Sequence, residues 1–91
     1  MKYKVGDRVI VRTDLVGGRY YPFSDPSREE LYFTHTMEKF RGEEYEIVAI
    51  DYVYEIYSLS LGEEESQWVF NDAMLIPVDG LRRLICKRNI K

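Results

Sequence analysis

His35 and Cys86 are the one histidine and the one cysteine of this 91-residue chain, and they are the side chains best suited to reactive chemistry near neutral pH. General acid–base work needs a titrating group poised beside its substrate, and covalent work needs an activated nucleophile. No second ligand and no nucleophile stands near His35 in sequence, so it reads as a polar residue at the start of a helical turn. Cys86 lies among Arg83, Lys87 and Arg88, whose charge would favour the thiolate. As a lone thiol in a basic segment it reads more simply as a small apolar side chain on a docking face. Glu63, Glu64 and Glu65 form a run of like charge. Consecutive carboxylates rarely converge on a metal and no calcium-loop pattern surrounds them, so the run reads as a solvated turn. A glycine-rich phosphate loop, paired metal-ligand spacing and a serine on a strand–turn–helix are all absent. Recognition is the remaining chemistry, and the chain is expected to be a non-enzyme without cofactor or metal.

Two groups of residues are suited to recognition. Tyr20, Tyr21, Phe23 and Tyr32 offer aromatic anchors of the kind that carry much of the energy of protein interfaces. Arg82, Arg83, Lys87 and Arg88 offer a basic surface for nucleic acid or for a second copy of the chain. Charge is segregated along the sequence: +3 over residues 1–22, −11 over 23–79 and +5 over 80–91, for a net −3. Fields of this kind steer encounters more than they shape folds. Lys2, Lys4, Arg8, Arg12 and Arg19 could join the C-terminal cations in one basic face if the two ends meet. The carboxylates Glu43, Glu44, Glu46, Asp51, Glu55 and 63–65 could instead imitate a phosphate backbone.

The elements that position these groups are mainly strands. Residues 42–61 are rich in β-branched and aromatic residues and nearly alternate apolar with polar, which suits two paired strands. A hairpin alone is marginal in water, so other segments must close over it. Val9 and Val11 share one face of a first strand, with Arg8, Ile10 and Arg12 on the other. Residues 14–30 hold Gly17, Gly18, Pro22 and Pro26 and read as a long aromatic loop, the first candidate for a contact surface, with a lid of rings lying flat over one end of the core as the equal alternative. Residues 29–34 read as extended. Thr34 or Thr36 can cap a helical turn that buries Phe33, Met37 and Phe40 and ends at Gly42. Residues 67–70 read as a strand and 71–74 as a capped single turn. Residues 75–78 read as a last strand, placed at a sheet edge because Pro77 has no N–H to donate.

The chain is long enough for one core only. Residues 1–78 are expected to form the folded domain and 79–91 a basic C-terminal extension, either a short helix or a flexible tail. The opening Lys2, Tyr3 and Lys4 lack an apolar signal core, and a lone cysteine makes no internal disulfide. Both fit a cytoplasmic protein.

This order of about five short strands with one or two helical turns resembles an SH3-like small barrel. Residues 4–9, Arg12, Thr13, Asp14 and Leu15, then Met37, Gly42, Trp68, Phe70, Asp72, Met74 and Leu75 resemble small SH3-like proteins of bacteriophages and prophages of Gram-positive bacteria, most of them uncharacterised. The likeness spans residues 4–77. The Pro–Ser insertion at 22–27 and the basic extension after Val78 depart from it. The resemblance implies a viral protein-binding module acting in the bacterial host's cytoplasm on a host protein, with inhibition of a defence or regulatory factor as one outcome. Nucleic-acid binding and acidic nucleic-acid mimicry are the alternatives.

Overall fold

The alternation at the N-terminus forms strand β1 (Arg8–Val11), and Val9 and Val11 are fully buried while Arg8 is exposed. The computed structural model describes residues 2–23 and 27–78. Five further strands follow: β2 (Arg19–Tyr21), β3 (Leu31–Phe33), β4 (Glu44–Asp51), β5 (Ile56–Leu59) and β6 (Leu75–Pro77). Single 3-10 turns occupy Thr36–Phe40, Gly62–Glu64 and Asp72–Met74. The protein is mainly β, with one antiparallel sheet in the order β5-β4-β1-β6 and a separate two-stranded ribbon β2-β3. These ladders do not close into a ring. The strands among the described residues number six, where the sequence suggested about five.

The central hairpin is β4 and β5, joined by a turn in which the Asp51 carboxylate accepts the N–H groups of Val53 and Tyr54. A register shift between Ile47 and Ala49 bends β4. β1 lies beside β4 with Arg8 opposite Glu46 and Ile10 opposite Glu44. Arg8 accordingly forms ion pairs with both glutamates across the ladder. β6 is an edge strand, as the proline requires.

The core sits between the inner face of the large sheet (Val9, Val11, Ile47, Tyr57, Leu59) and a lid made of Phe33, Met37 and Phe40. Burying each such side chain is worth about 1.5–3 kcal/mol, so this contact supplies the main force that holds the lid to the sheet. The helical turn is the expected one. Thr34 stands one residue before the cap position, and its hydroxyl still accepts the Met37 N–H at 3.2 Å.

Several expectations change. Residues 14–30 contain a strand: Gly18, at φ +87°, redirects the chain so that its N–H reaches the Phe33 carbonyl and β2 pairs along β3. Residues 67–70 are not a strand. Only Phe70 joins the sheet, exchanging two hydrogen bonds with Tyr57. Trp68 is half-buried and packs against the core, with its indole N–H turned back to Glu64 at 3.1 Å. Glu64 also meets Lys39 at 2.5 Å, which holds its carboxyl below the usual range, so the run 63–65 is not uniformly solvated. The turn Asp72–Met74 is not capped by its preceding side chain. Asn71 instead sends its amide across the fold.

Tyr57 closes the base of the core. Its buried hydroxyl donates to Asp72 Oδ1 at 2.5 Å and accepts the Tyr3 N–H at 3.2 Å. Burial, then the bond to Asp72, pushes its pKa far above the ordinary tyrosine value. A folded-state pKa raised above the unfolded one gives stability that is complete below about pH 10 and is lost as pH rises toward the folded value. Tyr57→Phe is therefore expected to cost about 1–1.5 kcal/mol at pH 7 in denaturant titrations. It should also flatten the alkaline loss, leaving the smaller contributions of Tyr3 and Tyr45, whose pKa values burial also raises.

Candidate functional site

The four aromatic residues singled out by sequence part company on the ribbon. Because side chains alternate along a strand, Tyr20 and its partner Tyr32 face outward and Tyr21 faces inward. Tyr20 is 61% and Tyr32 42% exposed. Their rings lie 4.9 Å apart at 53°, a solvent-facing aromatic pair. Tyr21 is half-buried and packs edge-on against Phe33 at 6.1 Å. Its hydroxyl accepts the Val16 N–H at 2.7 Å, which anchors the segment leading into the ribbon. It holds structure together and is not part of the open surface. Phe23 is half-buried and lines a cleft beside β3.

The ribbon is tied down at several points. Gly17 is buried against His35, and its N–H donates to Glu38 at 2.8 Å. Arg41 donates to the Leu15 carbonyl at 2.9 Å. Arg12 donates to the Ala73 carbonyl at 2.9 Å and pairs with Asp14 through two bonds. The hydrogen bonds from Arg12 hold the Asp14 carboxyl below its usual range. From the far side, Asn71 donates to the carbonyls of Tyr21 and Pro22 at 3.1 and 3.2 Å. The Tyr20–Tyr32 pair thus stands on a braced support.

Sequence reasoning missed a second exposed apolar group. At the tip of the central hairpin Tyr52 and Val53 are each 70% and Tyr54 64% exposed. The tip is joined to the segment before β3 by the Arg28–Glu55 ion pair at 2.5 Å, and Glu55 adopts φ +57°. Left-handed backbone is costly for a residue with a Cβ, and the ion pair offsets part of that cost. The signal was available: three bulky residues at a hairpin tip, where polar turn residues are the rule.

The charge readings come out differently from a simple count. Of the five N-terminal cations, Arg8 and Arg12 are bound to carboxylates. Glu44, Glu46, Glu55 and Glu64 are likewise bound to cations. Among the described residues, two cations of the basic face and four carboxylates of the acidic row are therefore neutralised. Arg82, Arg83, Lys87 and Arg88 lie outside the described residues. His35 is exposed beside Gly17 and Gly18, and no group of three His, Cys, Asp or Glu that could hold a metal ion occurs among the described residues. No described helix is long and apolar enough to cross a membrane.

The class defined by these observations is a small, mainly β protein with exposed aromatic groups on a braced ribbon and at a hairpin tip. Comparison with known proteins adds no relative: no family model, no curated protein and no solved structure matches the chain.

Proposed function

We propose that the protein is a non-enzymatic protein-interaction module with an SH3-like arrangement. The arrangement is supported by the strand succession β6-β1-β4-β5, which the Phe70 bridge continues beyond β5, and by the 3-10 turn directly before the last strand. The β2-β3 ribbon is then a long hairpin inserted in the chain between β1 and β4. The observation that carries the binding role is the exposed Tyr20–Tyr32 pair on a support held by the hydrogen bonds from Asn71. Rigid, solvent-facing tyrosines present large contact area at low entropic cost. In line with the bacteriophage resemblance, the target is a protein of the bacterial host's cytoplasm, such as a defence or regulatory factor. Nucleic-acid binding and mimicry are less favoured, because Arg8 and Arg12 are bound to carboxylates and Glu44, Glu46, Glu55 and Glu64 to cations.

The test is affinity capture from host lysate with the full chain and with Tyr20→Ala/Tyr32→Ala. The double variant should remain folded, losing about 0.5–1 kcal/mol for the cross-strand pair. Recovery of a specific partner should fall about tenfold or more. Tyr21→Ala should behave differently, costing about 2–4 kcal/mol of stability by cavity formation. Equal capture by the double variant would refute the assignment. Salt-sensitive binding of random DNA that survives the double substitution would favour the nucleic-acid reading.

A further inference from the structure

A cleft of about 330 Å³ runs between the segment leading into β3 and the tip of the central hairpin, with Phe23, Leu31, Tyr54 and Ile56 as its apolar walls. This is the small end of the range for ligand clefts, roughly 300–1,000 Å³, enough for one or two side chains. Arg28, Glu29 and Glu30 complete the lining. Arg28 is neutralised by Glu55, whereas Glu29 and Glu30 are exposed and pair with no cation among the described residues. Among the described residues the rim therefore carries uncompensated negative charge beside an apolar floor.

Resting on the interaction-module reading, we propose that this cleft receives a short basic–apolar segment of the partner protein. An aliphatic side chain enters between Leu31, Ile56 and Tyr54, and a neighbouring lysine or arginine lies over Glu29 and Glu30. Charge complementarity selects this occupant. A nucleic acid would bring phosphates to a negative rim. The hairpin tip of a second copy would bring Asp51 and Glu55 to the same rim.

The experiment titrates the isotope-labelled full chain with the peptide acetyl-Ser-Leu-Arg-Lys-Leu-Ser-amide and with its counterpart carrying glutamates for the basic pair, reading amide shifts by NMR. Saturable shifts at Leu31, Tyr54 and Ile56 with the basic peptide only are expected. Glu29→Lys/Glu30→Lys should weaken binding about tenfold or more. Tyr54→Ala, at an exposed position, should weaken it several-fold while the spectrum stays that of the folded protein. The proposal is overturned by the absence of shifts, or by unsaturable shifts spread over Glu43, Glu63 and Glu65. It is overturned equally by unchanged affinity in the Glu29/Glu30 variant, or by the same resonances moving on dilution without peptide, which would mark a second copy. Peptide failure with capture through Tyr20 and Tyr32 intact overturns the cleft alone. Peptide binding with capture unaffected by the tyrosine substitutions supports the cleft and overturns the aromatic-pair assignment.

Discussion

Asn71→Asp is expected to destabilise the protein by about 3–5 kcal/mol at pH 7, a large part of what a domain of this size possesses. Asn71 is 0% exposed, and its amide N–H groups are the donors that the Tyr21 and Pro22 carbonyls receive across some fifty residues of sequence. Its own Oδ1 has no hydrogen-bond partner. An aspartate here puts a buried carboxylate against two carbonyl oxygens. Its folded-state pKa is then raised above the unfolded value of about 3.9. The stability of the variant is accordingly best below that pH and declines as pH rises through the interval between the two values. Denaturant titrations at pH 3.5 and pH 7 should show a deficit much smaller in acid. Asn71→Ala lacks the charge, so its cost, about 1–3 kcal/mol for the two orphaned carbonyls, should not share that pH dependence. If Asn71→Asp were as stable as the parent at pH 7, the amide would not be what ties the last turn to the ribbon. The orientation of the Tyr20–Tyr32 pair would then need another explanation.

Gly17→Ala should cost about 1–3 kcal/mol or more, although the backbone conformation alone predicts a gain. Gly17 does not lie at positive φ, and at such a site alanine normally stabilises by about 0.4–1 kcal/mol through the unfolded chain. Contact geometry opposes this. A Cβ at Gly17 would lie 2.6 Å from His35 Cα and 2.9 Å from His35 N, which are backbone atoms that cannot rotate away. It would also lie 2.7 Å from His35 Nδ1. The overlap must move the strand entry away from the helical turn, which strains the Gly17–Glu38 bond and the Gly18–Phe33 bond that starts the ribbon ladder. Thermal or denaturant unfolding measures the loss. Adding His35→Ala discriminates the cause: the deficit persists if backbone overlap dominates and is largely recovered if the imidazole ring is the obstacle. A stabilised Gly17→Ala would show that the two segments are not in close contact.

Both substitutions act on the joint between ribbon and sheet, and this joint is what local pattern reading could not supply. Residues 19–21 lie among glycines and prolines, too few to display an alternation, and they become a strand only because Phe33 and its neighbours offer a ladder. Two adjacent tyrosines of equal propensity acquire opposite roles through register: Tyr20 opposite Tyr32 faces solvent, while Tyr21 opposite Leu31 faces the core. Phe70 joins the sheet as a single bridge, although residues 67–70 have the composition of a strand, because the chain before it is held in turns by Glu64 contacts.

By itself the sequence determined the mainly β class, the buried face of β1, the central hairpin of β4 and β5, the turn that buries Met37 and Phe40, and the edge position of the proline-bearing β6. Each rests on a period or a backbone restriction confined to a few neighbouring residues. The tertiary structure alone decided which aromatic rings meet solvent, which charges neutralise one another, and that Asn71 reaches back to the ribbon. Those outcomes depend on distances between groups remote in sequence, and residue spacing along the chain carries no measure of them.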